Sequence, residues 1–202
     1  FESRRPSRVV YSGTLTAKKG VVSLFRAWAR VREQCPAAEL HMFGKDQTRP
    51  DGTTMSEFLK GLLPERERAS VGFHGHVLRE QLMEALQGAR AAVFPSYTET
   101  FGLGPVEAMA CAVPTIYTKR SCGPEIVRDG VDGILVEPDE PAEISGAILG
   151  ILGNETLARR LSEAGRQRAF FLSNPDSILA ANLRFYDEQC RSFRGRDEVV
   201  AA

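Results

Sequence analysis

Short apolar runs alternate along the chain with longer stretches in which apolar residues recur every three or four positions. The runs fall at residues 8–13 (RVVYSG), 38–43 (AELHMF), 71–74, 91–95, 114–117 and 133–136. Each has the length and apolar content of a buried strand. The first periodic stretch, residues 20–35, puts Val22, Leu24, Phe25, Trp28 and Val31 on one side of a helix that Pro36 ends. Trp28 is expected in the core, and His41, between Leu40 and Met42, is expected to face a helix or solvent. Further helices are predicted over 55–63, 80–88, 105–112, 142–153, 155–170 and 176–190. Residues 45–54, with Pro50, Asp51 and Gly52, read as a surface loop.

Strands that alternate with helices make βαβ units, whose strands run parallel and whose crossovers are right-handed. The expected fold is therefore α/β, a Rossmann-like parallel sheet of about six strands with helices on both faces. No repeat or change of composition divides the chain, so residues 1–202 are expected to form one domain, with 192–202 a disordered tail. In such sheets a ligand sits beyond the carboxyl ends of the strands. The loops after Tyr11, Phe43, Phe73, Pro95 and Tyr117 are therefore where chemistry is expected.

Composition narrows the function classes. The 26 Lys and Arg balance the 26 Asp and Glu, so the formal net charge is zero. That balance argues against a nucleic-acid partner, which asks for basic excess. The four cysteines (Cys35, Cys111, Cys122, Cys190) form no CxxC pair and no zinc-ligand spacing. They read as reduced thiols of a cytoplasmic protein. No apolar run reaches the roughly 18 residues of a membrane span. The chain opens at Phe1 rather than Met, and the expectation is a fragment of something longer.

The most unusual loop, SYTETFGLGPVEAMAC at 96–111, carries Glu99 and Glu107 with seven residues between them. Gly102, Gly104 and Pro105 interrupt any continuous helix. The reading is that Glu99 lies on a loop, Gly104 caps a helix and Glu107 sits in its first turn. The amides of Phe101, Gly102 and Leu103 would then line an anion pocket at a helix N-terminus. Glu107 could accept hydrogen bonds from a ribose, and Glu99 from a sugar. Each glutamate has a plainer reading: Glu107 as a helix-capping residue, Glu99 as a solvated loop residue. A pair of carboxylates also suits a glycosidase, but no second feature supports hydrolysis.

The loop after the first strand reads Ser12-Gly-Thr-Leu-Thr-Ala-Lys-Lys-Gly20. It has neither Walker A spacing nor a dinucleotide fingerprint. Lys19, followed by Gly20 at the start of a helix, is placed to reach a phosphate; taken alone, it reads more simply as a solvated lysine.

Taken in order, these pieces resemble the GT-B glycosyltransferases of family 4. The resemblance runs from Gly13 and Lys19-Gly20 through AELHMFG at 38–44 and Val71–Gly75 with Val77. It continues in Pro95-Ser96, Glu99 to Leu103 and Pro105 to Ala110, and ends in Val113-Pro-Thr115, Gly123 to Val127 and Asp129-Gly130 to Gly133. It implies the C-terminal, donor-binding domain of a two-domain enzyme that transfers a sugar from a nucleoside diphosphate sugar with retention. By that resemblance Glu107 holds the ribose, Glu99 contacts the donor sugar and Lys19 neutralises the diphosphate. Phe101, Gly102 and Leu103 give backbone contacts, Gly75, His76 and Val77 lie by the base, and Gly13 belongs to the phosphate loop. Members generally need no metal. Where relatives carry Arg after the strand-ending glycine, this chain has Thr14, which Lys18 is expected to offset. The missing partner is an acceptor-binding N-terminal domain. Peripheral membrane association of the full enzyme is compatible with the family, whose members often use lipid acceptors. The alternatives are a nucleotide-sugar-binding regulatory module, or another GT-B enzyme such as a synthase, phosphorylase or epimerase.

Overall fold

Strand β1 (Arg8–Ser12) takes the middle of a six-stranded sheet with β2 (Glu39–Phe43), β3 (Val71–Gly75), β4 (Ala91–Phe94), β5 (Thr115–Thr118) and β6 (Ile134–Val136). The order is β3-β2-β1-β4-β5-β6, and every neighbouring pair is parallel. This is a computed structural model that describes residues 7–200, with backbone only at 192 and 194–200. The expected Rossmann-like sheet is present. Strand order reverses between β1 and β4, so the loops that leave these two strands diverge and open a crevice at their carboxyl ends.

The helices are α1 (Val21–Gln34), α2 (Met55–Gly61), α3 (Arg79–Gln87), α4 (Leu103–Ala110), α5 (Gly123–Ile126), α6 (Pro141–Gly153), α7 (Glu155–Leu172) and α8 (Pro175–Val200). The periodic pattern predicts all of them but α5, a single turn too short to show a period. It also misses two 3-10 turns at Ala17–Lys19 and Glu65–Ser70.

Alternation along the strands divides the core. Val9, Tyr11, Leu40, Met42, Ala91, Val93 and Ile116 pack with Leu24, Phe25, Trp28 and Val31 of α1 and Ile144, Ile148 and Ile151 of α6, all at most 1% exposed. Each such aliphatic side chain contributes about 1.5–3 kcal/mol on burial. The intervening positions, among them Val10, Ala92 and Tyr117, face the other side of the sheet; α4 packs against β4 and β5. Trp28 is in the core as expected, and its indole N–H donates to Ser70 Oγ at 2.9 Å.

The chain divides into two compact units, the first ending at Ala169 and the second starting at Phe170. The second unit holds the end of α7 and α8. Helix α8 runs ten residues beyond its expected end at Cys190, so the backbone expected to be a tail is helical as far as Val200. Arg194, Arg196 and Glu198 are good helix formers, and the lone Gly195 costs only about 1 kcal/mol. Residues 201–202 lie outside the described residues. Among the described residues no helix is long and apolar enough to cross a membrane.

Candidate functional site

At the reversal, the loop after β1 and the loop after β4 lie backbone to backbone. Gly20 has φ +70°, and a Cβ there would stand 1.7 Å from the carbonyl oxygen of Pro95. Only glycine permits that approach. Alongside it, the Tyr97 amide donates to the Lys18 carbonyl at 2.8 Å. This contact brings Lys19 to Glu99, 80 residues later: Lys19 Nζ lies 2.7 Å from Glu99 Oε1. Ser96 Oγ donates to the same oxygen at 3.0 Å, and the Glu99 amide donates to Ser121 Oγ at 3.3 Å.

Helix α4 starts earlier than the sequence suggests. Its N-cap is Gly102, at φ +75°, and Gly104 is already helical. Proline does not mark the first helical residue here; Pro105 is the third. Any of the first few positions tolerates proline, because their N–H groups have no partner within the helix. Glu107 therefore lies in the second turn rather than the first. Gly102 is fixed beneath Tyr117, whose hydroxyl would be 2.3 Å from a Cβ at 102. Leu103 and Gly104, whose amides have no partner within the helix, line the crevice at the positive end of the helix dipole.

Two cavities adjoin at this helix end. One, about 380 Å³, is lined by Lys19, Ser96, Glu99 and the stretch Thr100–Pro105. The other, about 320 Å³, is lined by Phe43, Lys45, His76, Val77, Leu82 and Glu107. Ser12, Gly13, Thr14 and Gly104 line both, so together they form one cleft across the switch point. Phe101 and Leu103 stand at its mouth, 50% and 66% exposed. Two buried phenols support the floor. Burial pushes the Tyr11 hydroxyl well above its ordinary range, with the Glu99 charge adding to the effect. It stays protonated and donates to the Thr14 carbonyl at 3.1 Å. Tyr117 is raised likewise, by burial first, then by its contact with the Cys122 thiol and by Glu99.

Of the expected site residues, Lys19, Glu99, Phe101, Gly102 and Leu103 meet in the first cavity, and Glu107, His76 and Val77 in the second; Gly13 and Thr14 join the two. Two do not line the cleft. Lys18 is exposed and contributes only its carbonyl; Lys45 is the second lysine that lines the cleft. Gly75 sits one position behind the lining, its carbonyl accepting the Gly44 amide at 2.7 Å. Ser12, Ser96 and Lys45 were missed. Ser12 closes β1, Lys45 and Ser96 come two residues after β2 and β4, and this place at the carboxyl ends of the strands is the signal that could have found them. Cys122 is a buried free thiol.

The chain and its fold have known relatives. The chain is 30% identical to the glycogen synthase of Mycobacterium tuberculosis over 172 residues, 83% of this chain and 40% of that protein. Among solved structures, a sucrose-phosphate synthase from Thermosynechococcus elongatus superposes with a TM-score of 0.75 at 32% identity, covering 92% of this chain and 46% of that one. Anabaena Alr3699/HepE, solved in complex with UDP, gives a TM-score of 0.77 at 22% identity over 90% of this chain and 49% of its own. The chain thus spans under half the length of these relatives. Residues 2–168 match the model of the family described as glycosyl transferases group 1, and the protein belongs to that family.

Proposed function

We propose that this chain is the donor-binding half of a retaining glycosyltransferase and that a nucleoside diphosphate sugar lies along the two-part cleft. The observation that carries the reading is the meeting of Lys19 and Glu99 at the start of α4, with Glu107 in the adjoining cavity. The diphosphate lies where the cavities join. There the α4 amides and Lys19 take up the charge that grows on it as the sugar leaves, a role a metal ion fills elsewhere. Lys45 supplies the second cation that Thr14 does not. Glu107 accepts the ribose hydroxyls, His76 and Val77 border the base, and Glu99 holds hydroxyls of the sugar.

In the complete enzyme the remaining half presents the acceptor. The acceptor oxygen bonds to the anomeric carbon on the face from which the diphosphate departs. The bond from that carbon to the phosphate oxygen breaks, and the acceptor proton passes to the leaving diphosphate. Such an enzyme works in the cytoplasm, with membranes approached peripherally if its acceptor is a lipid. Titration calorimetry of the chain with UDP, GDP and ADP tests the reading: one of the three binds, and binding is unchanged by EDTA. Absence of heat with all three overturns it.

A further inference from the structure

Glu99 stands on a stretch without regular structure between β4 and α4, yet three side chains hold it. Lys19 and Ser96 both reach Oε1, and Ser121 accepts its backbone N–H. Lys19 would be drawn toward a diphosphate once donor is present. The two serines would then remain as the fixed supports.

Ser121 is the less expected of them. It has φ +54°, one of two non-glycine residues with positive φ among the described residues. This conformation crowds Cβ against the backbone and favours glycine. A side chain kept there needs a reason beyond the turn itself. The turn is anchored on both sides. The Arg120 amide donates to Thr118 Oγ1 at 3.0 Å, and the Gly123 amide donates to the Arg120 carbonyl at 3.0 Å. Gly123 packs so closely that a Cβ would lie 1.8 Å from the Thr118 carbonyl oxygen. The turn is therefore a rigid post that grows out of β5, and the Ser121 hydroxyl is its contact with the Glu99 loop. Ser96, 2% exposed, grips the carboxylate from beneath.

We infer that Ser121, with Ser96, is a positioning residue: it fixes the Glu99 loop so that the carboxylate meets the sugar of the donor rather than following Lys19. This rests on the proposed donor reading. Its test compares each nucleoside diphosphate with its glucose conjugate (UDP, GDP and ADP against UDP-, GDP- and ADP-glucose) by calorimetry. The proteins are wild type, Glu99→Gln, Ser121→Gly and Ser96→Ala.

In wild type the glucose conjugate of the preferred nucleotide binds more tightly than the bare nucleotide. Glu99→Gln removes that gain. Ser121→Gly removes most of it as well, about fivefold or more, while binding of the bare nucleotide stays within twofold and the melting temperature is unchanged or higher, since glycine suits φ +54°. A purely structural serine would not separate the two ligands in this way. A Ser121→Gly protein that keeps the full glucose gain while Glu99→Gln loses it overturns the inference and leaves the donor reading standing. A wild type that gains nothing from glucose with any of the three counts against the sugar role of Glu99, and the positioning role falls with it. Ser96→Ala should fall between wild type and Ser121→Gly; a wild-type gain there confines the role to Ser121.

Discussion

The two ends of the cleft are built differently. At the Lys19–Glu99 end the charged groups already have partners: Glu99 is only 14% exposed and Lys19 25%. The loops beneath them are locked by Gly20 against Pro95 and by Gly102 under Tyr117. At the other end Glu107 is 32% exposed and has only a loose pairing with Arg79, at 3.8 Å, whose side chain is 76% exposed. The loops of one end are thus fixed before any ligand arrives, while the other end leaves its carboxylate available. Preorganisation belongs where charge develops during reaction, and availability where a ground-state ligand is gripped. Mutations at the two ends should accordingly show up in different measurements.

The largest effect is expected from Gly20→Ala. The new Cβ meets the Pro95 carbonyl, and alanine is also unsuited to φ +70°. We expect a loss of roughly 3 kcal/mol or more, read as a fall in the urea midpoint. A midpoint within a few tenths molar of wild type would show that the two loops are not locked. Next comes the contrast between the glutamate and the lysine. Glu107→Ala should weaken nucleoside diphosphate binding by about 2–3 kcal/mol, roughly 30- to 150-fold, with little change in stability, because hydrogen bonds to a charged group are lost from an open site. Lys19→Met should do the reverse in part. It removes the ion-pair partner of Glu99 and leaves Ser96 as its donor, so stability drops by about 1 kcal/mol, with screening by solvent keeping the figure small, and diphosphate binding weakens by about tenfold. If Glu107→Ala proves the more destabilising of the two, the comparison is wrong.

How much of this could be read from the chain depends on what the signal was. The sheet was legible because buried parallel strands are written as apolar runs, and α1 because its apolar positions repeat with the helical period. Glu99, Glu107 and Lys19 stood out because glycines and proline flank them. The start of α4 was misplaced because proline marks the first turn and not one position in it. Lys18 was expected to offset Thr14, because adjacent lysines give no sign in sequence of whether both can face one cleft. A 3-10 turn over Ala17–Lys19 decides which enters the cleft. Lys45 is hidden among polar loop residues, and its place in the cleft is visible only once β2 is known to end beside β1. Ser121 gave no signal at all, since a positive φ at serine is a property of the fold.

The smallest effect concerns the outer margin of the open end. Phe43, which lines the second cavity, stacks on His74 at 4.5 Å between centroids, and His74 stacks on His41 at 5.1 Å. His41 Nδ1 and His74 Nε2 are 2.9 Å apart, a bond that needs one of the two rings to be neutral. Burial lowers the pKa of His41 below its ordinary 6.5; the Glu39 carboxylate opposes this, and Arg8 and His74 reinforce it. Burial and then Arg8 lower His74 in the same direction. The unfolded chain therefore binds protons at a higher pH than the folded one. Stability contributed by the pair is fully present above about pH 6.5 and is lost as pH falls toward the depressed folded values. Urea unfolding at pH 7.5 and 5.0 should show a decrease in wild type that is smaller in His41→Gln, where one of the two titrating rings is gone. The difference between the two proteins isolates the pair from the carboxylates that titrate at lower pH. An equal decrease in both would mean that the rings are not coupled to folding.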